Sequence, residues 1–179
     1  MENNLSILAW NCRSLTSKLT RFKLLLYTHK PHIACLTETW TKAGQEPSFI
    51  NYCPFWKHRQ DRTGGGLVIL ARNITLLPNQ FRNMNGGKLE VQMISLRYNK
   101  DKELDVMNIY NAGHPITEQE FRFYFQQLRK GNIITGDFNA HHTYFHDTLH
   151  SNTTGNNLFS IIESNPNLRL LTPRNFPTS

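Results

Sequence analysis

A carboxylate and a carboxamide stand two residues apart in the segment Gly136-Asp137-Phe138-Asn139, which follows the residues Ile133-Ile134-Thr135. The apolar residues predict a buried strand, and residues i and i+2 of an extended segment lie on one face. Asp137 and Asn139 could therefore hold an attacking water and a phosphate oxygen side by side. The pair is typical of a site that hydrolyses a phosphoester.

Two further polar groups follow predicted strands nearer the N-terminus. Asn11 follows the predicted strand Leu5–Trp10, and Glu38 follows the predicted strand His32–Thr37. A hard cation such as Mg²⁺ prefers carboxylate and amide oxygens and polarises a phosphoryl group when it binds them. These strand ends, together with the Asp137 segment, predict one metal-assisted phosphoester site.

The remaining elements must position these groups. A helix capped by Ser14 or Ser17 is predicted to end near Lys30-Pro31, because the residue before proline is pushed out of the helical region. Thr117 and Glu120 form a capping-box pair at the start of a second helix. Further elements are predicted as strands at Leu67–Leu70, Leu89–Leu96, Asp105–Tyr110 and Leu168–Leu171 and as a helix at Asn156–Glu163.

The order of these elements indicates an α/β fold. Helices separate the strands in the order β-α-β-β-β-β-α-β, and many neighbouring strands lie within hairpin distance. This order favours a sandwich of two mainly antiparallel sheets with flanking helices. No repeat, linker or low-complexity tract divides the chain, so we expect one domain over residues 1–179.

Composition restricts the class of partner. The chain has a formal net charge of +7 and 39% hydrophobic residues, which indicates a packed domain. A polyanionic partner and a basic surface that serves only solubility both explain the charge.

Cys12, Cys35 and Cys53 are an odd number without CxxC spacing, which predicts reduced thiols in an intracellular protein. No apolar run is long enough for a membrane span, so we expect no membrane partner.

Six segments, in order along nearly the whole chain, resemble the endonuclease/exonuclease/phosphatase superfamily, which has a deoxyribonuclease-I-like fold. The likeness is strongest to the apurinic-type endonuclease domains of jockey-like non-LTR retrotransposons. The matching segments are Leu8–Leu15, Leu36–Trp40, Gly64–Ile69, Asn108–Tyr110, Gly136–His142 and Gly155–Leu158. The resemblance implies a four-layer α/β/β/α sandwich.

The resemblance also implies roles for five residues. Glu38 would bind Mg²⁺, or Mn²⁺ in its place, and Asn11 would help to hold the phosphate beside the ion. Tyr110 would donate its phenol to a phosphate oxygen, Asp137 would orient and deprotonate the attacking water, and Asn139 would fix the phosphate. The implied protein is an endonuclease domain that nicks DNA in the nucleus and precedes a reverse transcriptase domain in a parent polyprotein.

Two motifs of that family have no counterpart in these 179 residues. One is a Ser-x-x-Asp-type strand, whose approach Pro177-Thr178-Ser179 resembles. The other is a C-terminal Ser-Asp-His, which supplies a second aspartate on the metal side and a histidine at the scissile phosphate. We therefore expect a C-terminally truncated domain that lacks its last strands and has impaired catalysis, so whether this chain is an active enzyme stays open.

Other functions stay open at this stage. One alternative is a non-catalytic nucleic-acid-binding remnant, and another is a different branch of the superfamily, such as an RNA deadenylase or a phosphatase. A destabilised product without function is a third. Arg13, Lys18, Arg59, Arg62 and Arg72 could follow a phosphate backbone or form a solvated basic face.

A histidine-rich segment also follows the Asp137 motif. His141, His142, His146 and His150 lie with Asp147 at spacings compatible with a zinc site. No HExxH motif accompanies them. We favour a loop near the DNA or beside the site.

Overall fold

The computed structural model of the protein describes residues 5–60, 63–84, 87–98, 102–128, 131–145 and 150–172. Its strands are β1 (Ile7–Asn11), β2 (Ile33–Thr37), β3 (Cys53–Lys57), β4 (Leu67–Ala71), β5 (Thr75–Met84), β6 (Leu89–Tyr98), β7 (Lys102–Asn111) and β8 (Ile133–Asp137). Its helices are α1 (Leu19–His29), α2 (Glu118–Phe125) and α3 (Thr153–Ser164). None of the described helices is long and apolar enough to cross a membrane.

The chain forms two compact units. The first comprises Met1–Tyr110 and Arg129–Asp137, and the second comprises Asn111–Leu128 and Phe138–Ser179. The first unit contains both sheets. That residues 1–179 form a single domain stays a prediction.

The first sheet has the strand order β1-β2-β4-β3. β1 and β2 are parallel, so that Asn11 pairs with Thr37 at their carboxyl ends. β4 runs antiparallel to both of its neighbours. β2 and β4 are apolar along nearly their whole length and every residue in them is buried, as expected for strands covered on both faces.

The second sheet has the order β5-β6-β7-β8. β5 and β6 are antiparallel, with an irregularity in register between Leu76 and Phe81. β7 and β8 are parallel, and Tyr110 pairs with Asp137 at their carboxyl ends. Each sheet is therefore mixed and carries one parallel pair at an edge.

Among the described residues, apolar clusters lie on both faces of the first sheet. Phe22 and Leu26 of α1 pack with Ala34, Leu36 and Val68 on one face of the first sheet. The opposite face contributes Ile33, Cys35 and Ile69 to a cluster with residues of β6 and β7. The predicted α/β sandwich of two sheets with flanking helices is confirmed.

The second unit contains α2 and α3. Thr117 and Glu120 form the predicted capping box at the start of α2. α3 begins after Asn152, whose side chain accepts a hydrogen bond from the Gly155 amide. Gly155 has room for hydrogen only, because a Cβ there would overlap the backbone of His141. Close approach of the two segments therefore depends on this glycine.

Three local predictions were wrong. β3 and β5 were missed, and each contains a proline and lies at the edge of its sheet, the position where a strand tolerates proline. Leu168–Leu171 is not a strand. Neither Ser14 nor Ser17 caps α1, because a 3-10 turn at Thr16–Lys18 intervenes and the Ser14 amide donates to the Glu38 carbonyl. The predicted end of α1 is confirmed, since Lys30 adopts a left-handed conformation immediately before Pro31.

Candidate active site

Four of the five predicted site residues belong to the first unit, where the two parallel strand pairs position them. Asn11 ends β1, and Glu38 follows β2 directly. Tyr110 and Asp137 are register partners in β7 and β8. Parallel strands bring their carboxyl ends to the same edge of a sheet, so each pair presents two polar groups together.

The side chain of Asn11 joins the ends of the two sheets. Its Nδ2 donates to Glu38 Oε1 at 2.8 Å and to Asp137 Oδ2 at 2.5 Å. Its Oδ1 accepts a hydrogen bond from the Arg13 amide at 3.2 Å, which fixes the orientation of the carboxamide. Both carboxylates thus face one amide group, and all three side chains are partly exposed.

The loop that carries Glu38 is held from both sides. The Glu38 carbonyl accepts from the Ser14 amide at 2.9 Å, and the Trp40 amide donates to the Gly65 carbonyl at 2.9 Å. Glu38 itself has a φ of +55° and Trp40 a φ of +54°. Such left-handed conformations cost free energy in residues other than glycine and are concentrated at functional sites. The surrounding hydrogen bonds hold the backbone that carries the Glu38 side chain in this conformation.

Tyr110 is 7% exposed beside the two carboxylates. Burial raises its pKa to about 12, with the Glu38 charge as the next cause; the Arg59 charge lowers it, and a hydrogen bond to Glu38 and the Asp137 charge raise it. The phenol therefore stays protonated at neutral pH. It can donate a hydrogen bond to an oxygen that gains negative charge.

Gly136 allows Asp137 to approach β7. A Cβ at Gly136 would overlap the backbone carbonyl of Ile109 in the neighbouring strand, and the glycine has a φ of +133°. Only glycine fits this close approach between backbones. The packing of the two strands therefore requires glycine at position 136, whatever chemistry Asp137 performs.

Arg59 has a different place from the one the sequence suggested. Its guanidinium forms an ion pair with Glu90, and the two side chains are 10% and 13% exposed. Its Cζ lies 5.5 Å from the centre of the Tyr110 ring. Sequence reasoning did not single out Glu90, since a glutamate within the alternating residues of β6 gives no local signal.

The other predicted basic residues have separate surroundings. Lys18 donates from Nζ to the Cys12 carbonyl, and Arg72 donates from Nη1 to the Lys30 carbonyl at 3.3 Å. Arg13 is exposed. Arg62 lies outside the described residues.

Asn139, the fifth predicted site residue, belongs to the second unit. Its φ is +45°, and its Nδ2 donates to the Asn111 carbonyl at 2.6 Å. Its own carbonyl accepts from the Asn152 side chain at 2.8 Å. The conformation of Asn139 is therefore fixed within that unit.

The histidine segment has a packing role where it is described. The His142 ring stacks on Phe159 with 4.3 Å between ring centres, and its Nδ1 accepts from the Tyr144 amide at 3.0 Å. His141 and His150 are exposed, while His146 and Asp147 lie outside the described residues. Among the described residues, no group of three or more His, Cys, Asp or Glu side chains could hold a metal ion.

The sequence model of the endonuclease-reverse transcriptase family matches residues 104–179. No curated protein matches the chain. The endonuclease domain of TRAS1, a telomere-specific non-LTR retrotransposon, superposes with a TM-score of 0.65 at 16% identity over 88% of this chain and 70% of that one.

Two other nucleic-acid-processing enzymes have the same fold. An AP endonuclease from Archaeoglobus fulgidus gives a TM-score of 0.64 at 17% identity, over 89% of this chain and 70% of its own. The 3′ phosphatase NExo from Neisseria, bound to a product DNA hairpin, gives 0.57 at 16% identity over 76% of this chain. The chain spans only 58% of the NExo chain. Residues 104–179 thus match the endonuclease-reverse transcriptase family, and the chain has the fold of these nucleic-acid-processing enzymes.

Proposed function

We propose that this chain is the divalent-metal-dependent, DNA-nicking endonuclease domain of a non-LTR retrotransposon. The observation that supports the proposal best is the placement of Asn11 between Glu38 and Asp137, with the protonated phenol of Tyr110 paired in register with Asp137. These groups match, position by position, the roles that the superfamily resemblance implies. Hydrolysis of a phosphodiester needs all of them close together.

The donor set fits a hard divalent cation. Glu38 and Asp137 offer carboxylate oxygens on the two sides of one amide, and Mg²⁺ is commonly bound through one or two carboxylates while it keeps several waters. Glu38 would hold the ion. When bound, Mg²⁺ or Mn²⁺ would polarise the phosphoryl group and stabilise the leaving 3′ oxygen.

The chain's own residues would do the rest. Asp137 orients a water and takes its proton as the water oxygen attacks phosphorus and the bond from phosphorus to the 3′ oxygen breaks. Tyr110 donates its phenolic hydrogen to a non-bridging oxygen that gains charge. Asn11 holds the phosphate beside Glu38, and the role of Asn139 in fixing the phosphate stays a prediction.

DNA is the proposed substrate. The formal net charge of +7 suits a polyanion, and NExo is described as bound to a product DNA hairpin. TRAS1 and the endonuclease-reverse transcriptase match favour a retrotransposon source over a phosphatase or a deadenylase. We infer a reverse transcriptase domain in the same polyprotein and action in the nucleus, where the target DNA is.

Supercoiled-plasmid nicking with Mg²⁺ tests the proposal. We expect nicking that Asp137→Ala abolishes, that EDTA stops and that Mn²⁺ also supports, while Glu163→Ala, which removes an exposed carboxylate of α3, changes nothing. RNA and phospholipid substrates in parallel should be left intact. Equal DNA binding by the chain and by Asp137→Ala, without nicking by either, would instead favour the non-catalytic binding remnant.

A further inference from the structure

We propose that Arg59, held by Glu90, is the positioning residue for Tyr110, an inference that deepens the proposed function and rests on it. The Arg59 guanidinium lies over the Tyr110 ring, with 5.5 Å from Cζ to the ring centre. One face of the ring is thereby fixed by a cation. The direction of the phenol toward Glu38 and Asp137 then depends on where that cation is held.

Glu90 determines the position of the guanidinium. One of its carboxylate oxygens pairs with Arg59, and the other accepts from the Gly66 amide at 2.7 Å. With 13% exposure, the Glu90 side chain has little freedom to follow a moving partner. A planar guanidinium held in this way keeps both its place and its tilt over an aromatic ring.

The Gly64-Gly65-Gly66 segment connects the ion pair of Arg59 and Glu90 to the loop that carries Glu38. The Gly66 carbonyl accepts from the Thr39 amide at 3.2 Å, and the Gly65 carbonyl accepts from the Trp40 amide. A Cβ at Gly65 would overlap both the Arg59 guanidinium and the Glu90 carboxylate. The Gly64-Gly65-Gly66 segment therefore makes room for an ion pair that contacts the Tyr110 ring, and the same segment is hydrogen-bonded to the loop of Glu38.

Two other roles for Arg59 fit the structure less well. A cation that follows a phosphate backbone needs exposure, and Arg59 is 10% exposed with an acidic partner. A role in stability alone is a weak reason for a nearly buried ion pair, because its desolvation cancels most of its attraction. Exact placement of the neighbouring phenol explains why charged groups are present here.

The test uses Glu90→Gln, which keeps the shape and the acceptor for Gly66 but removes the charge that holds Arg59. We expect kcat for plasmid nicking to fall by about ten- to a hundredfold, with KM changed by less than about twofold, because a misplaced catalytic group affects the chemical step. Arg59→Lys should have a similar effect, since lysine keeps the charge without the planar group. Arg97→Lys, in an exposed pair with Glu103, is the matched control.

A double-mutant cycle separates positioning from general stability. In a Tyr110→Phe background, Glu90→Gln should lower kcat no further, because the group it positions is absent. An equal loss in both backgrounds would overturn the proposal, as would full activity of Glu90→Gln and Arg59→Lys.

An NMR measurement tests the positioning of Tyr110 independently of nicking activity. The ring signals of Tyr110 in ¹³C-tyrosine-labelled protein, assigned with Tyr110→Phe, should shift and broaden in Glu90→Gln but not in Arg97→Lys. Unshifted signals would overturn the proposal. If the unmodified chain does not nick DNA while the Tyr110 signals respond as expected, the proposed function fails and the positioning by Arg59 stands.

Discussion

Asn11 Nδ2 lies 2.5 Å from Asp137 Oδ2, although 126 positions separate the two residues in the sequence. The contact ties the end of β1 in one sheet to the end of β8 in the other. The same nitrogen also donates to Glu38, so that one amide offsets the repulsion between two carboxylates. The stability of the unbound protein and its response to a cation should therefore depend on this side chain.

Asn11→Asp should make folding dependent on a divalent ion. The substitution replaces two charge-assisted hydrogen bonds by a third carboxylate, and each such bond contributes about 1.5–3 kcal/mol. We expect a melting temperature several degrees lower in EDTA and a larger rise on adding Mg²⁺ than the unmodified chain shows. Asn51→Asp, in an exposed turn, is the control. Identical melting of both variants in EDTA would contradict the bridging role of Asn11.

Gly136→Ala should destabilise the first unit far more than a glycine substitution in open space. The new Cβ would overlap the Ile109 backbone, so the strands must separate next to Asp137. Overpacking and backbone strain together should lower the free energy of unfolding by about 3 kcal/mol or more. Denaturant unfolding with Gly131→Ala as control separates the effects, because Gly131 also has a positive φ but no atom near its Cβ. Similar losses in the two variants would mean that φ alone matters.

Thiol chemistry should distinguish the three cysteines. Cys53 is exposed, whereas Cys12 and Cys35 are buried, and burial raises the pKa of each buried thiol from 9.0 to about 12. A thiol reagent at a pH of about 8 should label one cysteine rapidly in the native protein and three after denaturation, because the thiolate is the reactive form. Cys53→Ser should abolish the rapid phase. A second rapid site in that variant would show that a buried thiol is accessible.

The raised pKa values of the Cys12 and Cys35 thiols predict how the free energy of unfolding changes at high pH. Their folded pKa lies above the unfolded value, so their contribution is fully present below a pH of about 9 and is lost as the pH rises toward 12. Cys35→Ala should reduce this alkaline loss, and equilibrium unfolding at several pH values measures it. An unchanged slope in Cys35→Ala would assign the loss to other groups.

The His142 ring should act through packing rather than through metal binding. Because His142→Phe keeps the stack on Phe159 and loses only the hydrogen bond from the Tyr144 amide, it should melt at a higher temperature than His142→Ala. His142→Ala should lower the free energy of unfolding by about 1 kcal/mol or more. Zn²⁺ should not raise the melting temperature of the unmodified chain. If Zn²⁺ raised the melting temperature of the unmodified chain but not that of His142→Phe, the result would support a zinc site.

Much of the site could be predicted because its signals are local. Asn11, Glu38 and Asp137 each stand at the end of an apolar strand, and such apolar runs can be recognised without knowledge of their partners. Tyr110 became a candidate only through the resemblance to the superfamily. The capping box of α2 could be predicted for the same reason, since Thr117 and Glu120 contact each other within one turn. β3 and β5 could not be predicted from the sequence. Their prolines are tolerated only at a sheet edge, and edge position is a property of the assembled sheet.

The sequence by itself determined which residue types are available for the proposed phosphoester chemistry, the order in which they occur and most of the apolar strands that carry them. The tertiary structure alone decided that Asn11 lies between Glu38 and Asp137, and that Arg59 pairs with Glu90 over the Tyr110 ring. The physical reason is the range of the interactions. Alternation and capping depend on neighbours along the chain, whereas ion pairs and sheet order depend on which distant faces are buried against each other.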